Sequence, residues 1–406
     1  MTRAATPGGL RDLAEALALV LDGLAPLEGE PAPLEDAARR VAAAEARSVV
    51  DLPPFDRSAM DGFAVRAADV AAGTPLRLAG DVAAGATAEA TLEPGSAARI
   101  STGAPIPPGA DAILRLEDAS VDGGAVVPTA DVSPGLHVRR RGEDVHAGDM
   151  LLRPGEVVTL PRLSALAAAG VGQVPVHRRP RLHVLVTGSE LLPAGAPPEP
   201  GKIHESNGLM IRLLTRRAGA EIVDHGVIGD DAAATRAAVE AGLEGDVLVV
   251  SGGVSVGPHD HVKPAFEACG VEEVFWRVRI KPGKPLWFGR RGRTLVFGLP
   301  GNPLSAIVGT AVFVVPALRR LQGEPDAGPA FERGRLGTPA GPSDGRTTFL
   351  TARLLRAPDG VLEAFPTERQ GSHMTGALGE SDGFAIAPHG SGPLPAGAEV
   401  DVLRLD

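Results

Sequence analysis

Candidate anion-binding residues of this sequence are concentrated between positions 251 and 303. The chain contains only four lysines, which are Lys202, Lys263, Lys281 and Lys284. Three of them lie near the glycine-rich segments SGGVSVGPHD (251–260), IKPGKP (280–285) and GLPGNP (298–303). A compact ammonium on a flexible stem serves where the planar guanidinium of Arg does not fit. The lysines that remain are therefore candidates for binding phosphate or another oxyanion.

These segments belong to a region that predicts an α/β fold. From position 181 short apolar runs alternate with helical patterns, which is typical of a parallel sheet covered by helices. TGSE (187–190), SGG (251–253) and LPGNP (299–303) each follow or end a predicted strand. Ligands of such sheets bind outside the carboxyl ends of the strands. A lone glycine turn needs only a positive φ, but three loops on one edge predict a phosphate-type cradle, with Asn302 and Pro303 starting a long helix.

Acidic residues follow the same strands. Glu190 and Asp260 are either solvated loop carboxylates or ligands of a hard cation, because Mg²⁺ is held by one or two carboxylates together with substrate phosphates. His259, Asp260 and His261 match a zinc site poorly, since a third nearby ligand is missing. Asp230 precedes a predicted helix and is most simply its N-cap.

The rest of the chain shows different sequence patterns. Helical spacing predicts helices over 10–24, 34–47 and 160–170. From about 50 to 145, short apolar runs alternate with Gly, Pro and Asp turns, which is typical of a β-rich lobe. After about 325 the short strands and frequent Gly and Pro predict a small all-β domain.

Composition excludes several classes of protein. The net charge of −10 argues against a nucleic-acid binder. The single Cys269 excludes an intrachain disulfide and a CxxC metal site, and it is expected to be a buried apolar thiol. No stretch approaches the ~20 uncharged apolar residues of a membrane span, and Asp12 and Glu15 interrupt the N-terminal apolar run. We expect a cytoplasmic protein that binds neither membrane nor nucleic acid.

Seven motifs in a fixed order give a more specific indication. They are SAMDGFAV, TGAPIPPGADAI, RRRGEDV, VTGSEL, DVLVVSGGVSVGPHDHVK, IKPGKP and GLPGNPLSA. Together they resemble the molybdopterin molybdenumtransferase family of the MoeA type, which includes the E domain of gephyrin, and the resemblance spans about 10–400. Phe63 stands where this family often has Tyr, Ser189 where it often has a second acid, and Arg277 where some members have Lys.

The resemblance implies an elongated homodimer with four domains per chain. These are an N-terminal helical and linking domain (1–47 plus 148–177), a β-rich lobe (48–147), an α/β domain similar to the molybdopterin adenylyltransferase fold (178–325) and a C-terminal β domain (326–406). Each active cleft is expected between the α/β domain of one subunit and the β-rich lobe of the other.

The resemblance also implies a reaction and a set of residues. Molybdenum from molybdate is inserted into adenylylated molybdopterin with the help of Mg²⁺, and AMP is released. The catalytic candidates are Asp61, Thr102, Asp144, Glu190, Asp230, Asp260, Lys281 and Pro300. The candidates for binding phosphate or molybdate are Ser251, Gly252, Gly253, Lys281, Lys284, Asn302 and Pro303. Glu190 and Asp260 are the expected metal ligands.

Two alternatives remain open on the sequence, and both concern the same fold. The N-terminal lobe with SAMDG and RRRGED argues against a molybdopterin adenylyltransferase. A separate protein is therefore expected to carry out the adenylylation that produces the substrate. A non-catalytic scaffold would not need Lys281, Asp260 and Asp61 together. Apo-molybdoenzymes are the expected recipients of the product.

Overall fold

The structure is a computed structural model that describes residues 10–87, 89–254 and 260–405. The chain divides into two compact units. The first, here called the α/β unit, consists of Met1–Glu28 and His177–Asp406, and the second, the β-rich unit, is Gly29–Val176. The four domain boundaries expected from the sequence stay a prediction.

The β-rich unit contains short strands joined by tight turns. Its strands are β1 (Gly29–Pro33), β2 (Ala46–Arg47), β3 (Arg57–Ser58), β4 (Gly62–Val65), β5 (Leu76–Val82), β6 (Ser96–Ile100), β7 (Ala112–Arg115), β8 (Ala119–Asp122), β9 (Ala125–Pro128), β10 (Val138–Arg139), β11 (Met150–Leu152) and β12 (Gln173–His177). Its α-helices are α2 (Leu34–Ala37) and α3 (Leu160–Ala168). Six strands form a sheet in the order β7-β4-β6-β5-β9-β8, which confirms the β-rich lobe. Phe63 and Leu114 are buried in its core.

The helix predicted over 34–47 is wrong beyond Ala37. Arg39 has a φ of 65°, which a helix does not tolerate. Val41 forms a bridge with Val157, and Ala42 forms one with Val176. Both Val41 and Ala42 are buried. Pairing with distant strands has therefore overridden a local helical pattern, as tertiary context often does.

The α/β unit contains the remaining elements. Its helices are α1 (Leu13–Leu21), α4 (Asn207–Arg217), α5 (Ala232–Gly242), α6 (Val262–Ala268), α7 (Pro303–Gly309), α8 (Val315–Leu321) and α9 (Thr375–Gly379). Its strands are β13 (Arg181–Thr187), β14 (Leu191–Leu192), β15 (Ile203–His204), β16 (Glu221–Ile228), β17 (Val247–Ser251), β18 (Glu272–Trp276), β19 (Ile280–Lys281), β20 (Trp287–Arg291), β21 (Thr294–Leu299), β22 (Phe331–Leu336), β23 (Thr347–Arg356), β24 (Leu362–Pro366), β25 (Gly383–Ala387) and β26 (Glu399–Arg404).

A six-stranded sheet in the order β16-β13-β17-β21-β20-β18 forms the centre of this unit. β16, β13, β17 and β21 are parallel neighbours, and β20 and β18 are antiparallel. Successive side chains of a strand point to opposite faces. Val247 and Val249 accordingly belong to one core cluster, and Leu248 and Val250 belong to another. The apolar residues at the first four positions of β17 are thus explained by burial on both faces.

The long helix predicted after Asn302 is present and runs through the core. It begins at Pro303, passes through a π-helical turn at Thr310–Val314 and ends at Leu321. By length and composition, Pro303–Leu321 could cross a membrane, so the expectation that no stretch approaches a membrane span is wrong. Most of this helix is buried against the central sheet and α1. Cys269, expected to be buried, is only partly buried at the C-cap of α6.

The C-terminal strands form a small closed sheet. The order is β24-β22-β26-β25, and β23 pairs with both β24 and β25, so the ring closes. β19 joins this sheet by pairing in parallel with the start of β23. The all-β domain expected after 325 is confirmed. The strand carrying Lys281 is attached to it.

Candidate functional site

Three loops at the carboxyl edge of the central sheet line one cleft. The parallel strands β13, β17 and β21 end at Thr187, Ser251 and Leu299, so the loops that follow emerge side by side. The cleft has a volume of about 830 Å³. Its lining residues include Thr187, Glu190, His204, Glu205, Asn207, Ser251, Gly253, Pro285, Pro300, Asn302, Pro303, His373 and Thr375. The structure therefore brings together the three motifs that the βα pattern predicted on one rim.

The SGG turn requires both of its glycines. Gly252 has a φ of +98° and Gly253 a φ of +62°, which side chains rarely adopt. A Cβ on Gly252 would lie 2.5 Å from the backbone oxygen of Thr187, and a Cβ on Gly253 would lie 2.6 Å from Cγ2 of Val262. The Gly252 N–H donates to Leu299 O at 2.9 Å, which ties this turn to the end of β21.

Asn207 joins two of the loops from below, and sequence reasoning missed it. This side chain is 8% exposed. Its Nδ2 donates to Ser251 Oγ at 3.0 Å and to Gly301 O at 2.8 Å. Asn207 therefore fixes the SGG turn relative to the LPGNP loop. The feature of the sequence that could have identified Asn207 is its amide side chain at the first position of α4.

Helix α7 begins at the cleft as expected. Asn302 is its N-cap and Pro303 its first residue, although the Asn302 side chain makes no capping hydrogen bond. The N–H of Leu304 donates to Ser372 O at 3.2 Å, which attaches a C-terminal loop to this start. His373, on that loop, and His204, on β15, both line the cleft. The sequence assigned neither histidine a role.

The loop that carries Glu190 is connected to the loop that follows β16. Ser189 N–H donates to Asp230 Oδ2 at 3.1 Å, and Asp230 N–H donates to Ser189 Oγ at 2.7 Å. The Lys202 ammonium donates to the backbone oxygen of Ser189. The interpretation of Asp230 as the N-cap of α5 is wrong, because Asp231 is the cap and accepts from Ala234 N–H at 2.7 Å.

The carboxylate of Glu190 is suitable as one ligand of a magnesium ion. Its exposed carboxylate lies at the cleft and folds back over Gly188, where a Cβ would be 2.6 Å from Oε2. The described ranges contain no group of three His, Cys, Asp or Glu that could hold a metal, but Mg²⁺ does not need one when substrate phosphates contribute oxygens. Asp260 precedes α6 and is not among the described lining residues. His259, the first residue of the triplet that matches a zinc site poorly, lies outside the described residues.

Lys281 and Lys284, the lysines of the predicted cradle, are not among the described residues that line the cleft. The Lys281 ammonium contacts the Asp344 carboxylate at 2.5 Å, and this hydrogen bond and charge lower the pKa of Asp344. Lys284 is exposed, and its neighbour Pro285 lines the cleft. None of the described lining residues is Lys or Arg.

Lys263 is engaged elsewhere. Its ammonium lies 3.1 Å from the centroid of the Trp276 ring, and the guanidinium of Arg277 lies 4.0 Å from the same centroid. Burial lowers the pKa of Lys263. A cation over an indole face is a stable arrangement in its own right. The rarity of Lys had made Lys263 a candidate for binding an oxyanion, but its ammonium contacts an aromatic ring instead.

In the β-rich unit, the three N-terminal motifs also converge. Thr102 N–H donates to Asp61 Oδ1 at 2.7 Å, so the SAMDG and TGAP motifs are in contact. β3 pairs with β10, which brings the RRRGED motif to the same place. Arg140 donates to Asp56 at 2.7 Å. Asp144 is exposed beside this network.

Comparison with known domain families covers nearly the whole chain. Residues 11–170 match the MoeA N-terminal region (domain I and II), 183–320 match a probable molybdopterin binding domain, and 333–405 match the MoeA C-terminal region (domain IV). The cleft-lining loops of the central sheet lie within the second match.

Similar proteins agree with these matches. Molybdopterin molybdenumtransferase 2 of Mycobacterium tuberculosis is 38% identical over 388 residues, which cover 92% of this chain and 94% of the relative. Molybdopterin molybdenumtransferase of Haemophilus influenzae is 34% identical over 93% of this chain and 94% of its own. A crystal structure of the molybdopterin biosynthesis MoeA protein from Pyrococcus horikoshii has a TM-score of 0.83 at 32% identity and covers 98% of this chain and 100% of its own. The chain belongs to the molybdopterin molybdenumtransferase (MoeA) family.

Proposed function

We propose that this protein inserts molybdenum from molybdate into adenylylated molybdopterin and releases AMP. The observation that carries the proposal is the 38% identity with a molybdenumtransferase over 92% of the chain. The cleft supports it, because its loops lie in the stretch matched by the molybdopterin binding domain. A cleft of about 830 Å³ is within the range of cofactor-sized ligand sites.

The glycine turn and the start of α7 are proposed to hold the phosphate groups of the substrate. Glycines allow the backbone to approach a phosphate closely, and main-chain N–H groups supply donors. The residues proposed for this role are Ser251, Gly252, Gly253, Asn302 and Pro303, with Pro300 in the adjoining wall.

Mg²⁺ is proposed to bind at Glu190 and Asp260, with Asp230 nearby. Glu190 and Glu205 line the cleft, while none of its described lining residues is Lys or Arg. An anionic pyrophosphate would be repelled by these carboxylates unless a bound cation lay between them. Mg²⁺ supplies that positive charge and neutralises phosphate oxygens.

Lys281 and Lys284 are proposed to act on the molybdate and phosphate side. Lys281 is half-exposed, and its present partner Asp344 is exposed as well. Exposed ion pairs contribute little stability. An arriving oxyanion can therefore replace Asp344 as the partner of this ammonium without a large cost to the fold.

We further propose that the protein is a cytoplasmic homodimer. Asp61, Thr102 and Asp144 would complete each cleft from the β-rich unit of the other subunit. A separate adenylyltransferase would supply the substrate, and apo-molybdoenzymes would accept the product. The support is the resemblance in the motifs that carry these three residues.

The two alternative functions are less favoured. The relatives that match over 92% or 93% of the chain are named for molybdenum transfer. An adenylyltransferase would release pyrophosphate from ATP and molybdopterin, whereas this protein should not. A scaffold would bind neither substrate.

Reconstitution of an apo-molybdoenzyme tests the proposal. The purified protein is incubated with adenylylated molybdopterin, molybdate and Mg²⁺, and the mixture is added to the apo-enzyme. We expect activity with the wild type and a loss of at least about tenfold with Glu190→Gln, which removes a charged ligand. Glu240→Gln, on α5, is the control for losing one carboxylate. Failure of the wild type to reconstitute activity, with a competent apo-enzyme, overturns the proposal.

A further inference from the structure

A small cavity lies at the edge of the central sheet where β17 and β21 begin, and is here called the amino-edge cavity. Its volume is about 150 Å³. The residues of its wall that matter most are Leu24, Leu27, Arg290, Arg293, Leu295 and Leu321. Both strands end at the cleft, and the five residues of β17 separate its two ends by about 15 Å. The cavity is therefore distinct from the cleft.

The end of α1 holds Arg290, a residue of β20, in the wall of this cavity. Arg290 Nη2 donates to the backbone oxygens of Leu19 at 3.0 Å, Val20 at 3.2 Å and Asp22 at 2.8 Å. The last carbonyls of a helix have no partner within it, so they are good acceptors. These bonds fix the guanidinium, but backbone carbonyls carry no full negative charge. Burial lowers the pKa of Arg290, against the attraction of the exposed Asp22.

The other terminal nitrogen of Arg290 is available to a ligand. Nη1 makes no hydrogen bond with any residue that the structure describes. Nε is completely buried without a partner, whereas Nη1 is not among the buried side-chain atoms of the described chain that lack one. Nη1 thus keeps accessible surface and two hydrogens, and it can donate to an anion in the cavity.

Arg293 brings a second guanidinium to the same wall. It lies in the turn between β20 and β21, where Gly292 has a φ of +57°. Its Nη1 is 3.8 Å from Glu28 Oε1, and the two side chains are 78% and 61% exposed. Such an exposed and distant ion pair holds a side chain weakly. Arg293 can therefore turn to an anion held by Arg290.

The acidic residue in this wall, Asp246, already has its charge compensated. Arg178 donates to both oxygens of the Asp246 carboxylate, at 2.7 Å from Nη1 and at 2.8 Å from Nη2. The N–H of Arg181 donates to the same carboxylate at 2.8 Å. A bidentate pair of this kind occupies the carboxylate and offsets its charge. Asp246 therefore does not exclude an anion from the cavity.

Leucines form the apolar part of the wall. Leu27, Leu295 and Leu321 are buried in the main core, and Leu24 packs against it. An apolar cavity of about 150 Å³ is large enough for a molecule the size of benzene, which has about six heavy atoms. Cations beside leucines are complementary to a small anion that carries a hydrocarbon tail, whereas a bare oxyanion would leave the leucines uncovered.

We propose that the amino-edge cavity binds a small monocarboxylate with a short hydrocarbon tail. Its carboxylate accepts from Arg290 Nη1 and from the guanidinium of Arg293, and its tail lies against the leucines. Hydrogen bonds between guanidinium and carboxylate are charge-assisted and therefore stronger than neutral ones. This ligand class is separate from the phosphate-bearing substrate, and the inference does not depend on the proposed function.

Calorimetric titration of the whole protein with butanoate tests the proposal. Butanoate has a carboxylate and a short tail, and its size matches the cavity. We expect a dissociation constant of about 1 mM, as is reasonable for so small a ligand. Butanamide has the same size without the charge, and inorganic phosphate has charge without the tail. Both should bind at least about tenfold more weakly than butanoate.

Two substitutions locate the binding. Arg293→Gln, at an exposed position, should leave the midpoint of thermal unfolding unchanged and weaken butanoate binding about tenfold. Arg290→Gln should abolish measurable binding, and it should also lower the unfolding midpoint because it releases the carbonyls of α1. Arg333→Gln is the matched control, since Arg333 is 81% exposed and lies 3.1 Å from Asp401 in the C-terminal sheet. This control should stay within about threefold of the wild type.

Several outcomes overturn the proposal. They are no binding of butanoate to the wild type, equal affinity of the wild type and Arg293→Gln, and affinity for butanamide or phosphate equal to that for butanoate. The insertion assay decides the proposed function separately, and Arg293→Gln should retain wild-type insertion activity in the absence of butanoate. A protein that binds butanoate through Arg293 but inserts no molybdenum would retain this site and lose only the proposed function.

Discussion

Ser189 and Asp230 exchange two hydrogen bonds between the loops that follow β13 and β16. The N–H of each residue donates to the side chain of the other, at 3.1 Å to Asp230 Oδ2 and at 2.7 Å to Ser189 Oγ. Glu190 follows Ser189 directly, so this contact holds two carboxylates of the proposed magnesium site in a fixed relation. An acid at position 189, common in the family that the motifs resemble, would bring negative charge to Asp230 instead of a hydroxyl.

Ser189→Ala should therefore weaken the binding of Mg²⁺. The change removes the acceptor of the Asp230 N–H and loosens the loop that carries Glu190, so we expect the Mg²⁺ concentration for half-maximal activity to rise about three- to tenfold, in line with the loss of supporting contacts around a metal ligand. Magnesium titrations of the insertion rate measure this. Ser48→Ala is the control, because it also removes a serine hydroxyl that makes a hydrogen bond with the backbone, here by donating to Val50 O, but Ser48 belongs to the β-rich unit. An unchanged magnesium dependence would contradict the role of Ser189.

The two asparagines of the chain should behave differently. Asn207→Ala leaves buried polar groups on Ser251 and Gly301 unsatisfied, so we expect the free energy of unfolding to fall by about 1–3 kcal/mol. Asn302→Ala removes a side chain that makes no capping hydrogen bond, so its effect on stability should stay within about 0.5 kcal/mol, while insertion activity should fall. Chemical denaturation and the insertion assay check both. Equal stability losses would contradict this account.

His183 should make stability depend on pH. Burial lowers the pKa of His183, and charges on His225 and Arg181 lower it further. Its Nδ1 lies 2.9 Å from His225 Nε2. In the unfolded chain a histidine titrates near its ordinary value of about 6.5. As pH falls below that value the unfolded state binds protons that the folded state resists, so stability should fall, and the fall should end below the folded pKa.

His183→Gln tests this dependence. The variant should show a smaller fall in the free energy of unfolding between about pH 6.5 and 4.5, whatever its stability at neutral pH. His389→Gln, at an exposed histidine of the same unit, is the control. Denaturation curves across this pH range provide the measurement. A slope identical to that of the wild type would show that His183 titrates normally.

The proposed sharing of clefts between subunits predicts complementation. Asp61→Ala and Asp260→Ala should each be inactive, because each would remove one side of every cleft. After subunit exchange, a heterodimer carries both lesions in one cleft and neither in the other, so about a quarter of all clefts in a statistical mixture of two-fold dimers should be intact. Insertion activity of the mixture measures this. A monomer at micromolar concentration, or no recovered activity despite proven exchange, would contradict the proposal.

The sequence predicted the parts of the site that depend on local pattern. Apolar runs ending in glycine placed Thr187, Ser251 and Leu299 at strand ends, and parallel pairing then brought their loops together. Asn302 and Pro303 were correctly placed at a helix start because cap and first-turn preferences are local.

The sequence did not predict contacts between distant segments. Asn207 reaches Ser251 and Gly301 only because α4 packs under both loops. The helix expected over 34–47 gave way to pairing with distant strands. Lys263 lies over Trp276, a partner that lysine rarity does not indicate. In each case the deciding partner lies in a different element of the fold, and periodicity and spacing within one element carry no information about it.

The most direct test of the central claim is the release of AMP from adenylylated molybdopterin by the purified protein. Chromatography quantifies AMP with and without molybdate, and metal analysis of the pterin product quantifies the molybdenum retained. The account predicts that AMP appears with Mg²⁺ and molybdate in equal amount to the molybdenum bound to pterin, and that Glu190→Gln reduces both together. AMP release without molybdenum incorporation, or no release under conditions in which the wild type binds the substrate, would contradict it.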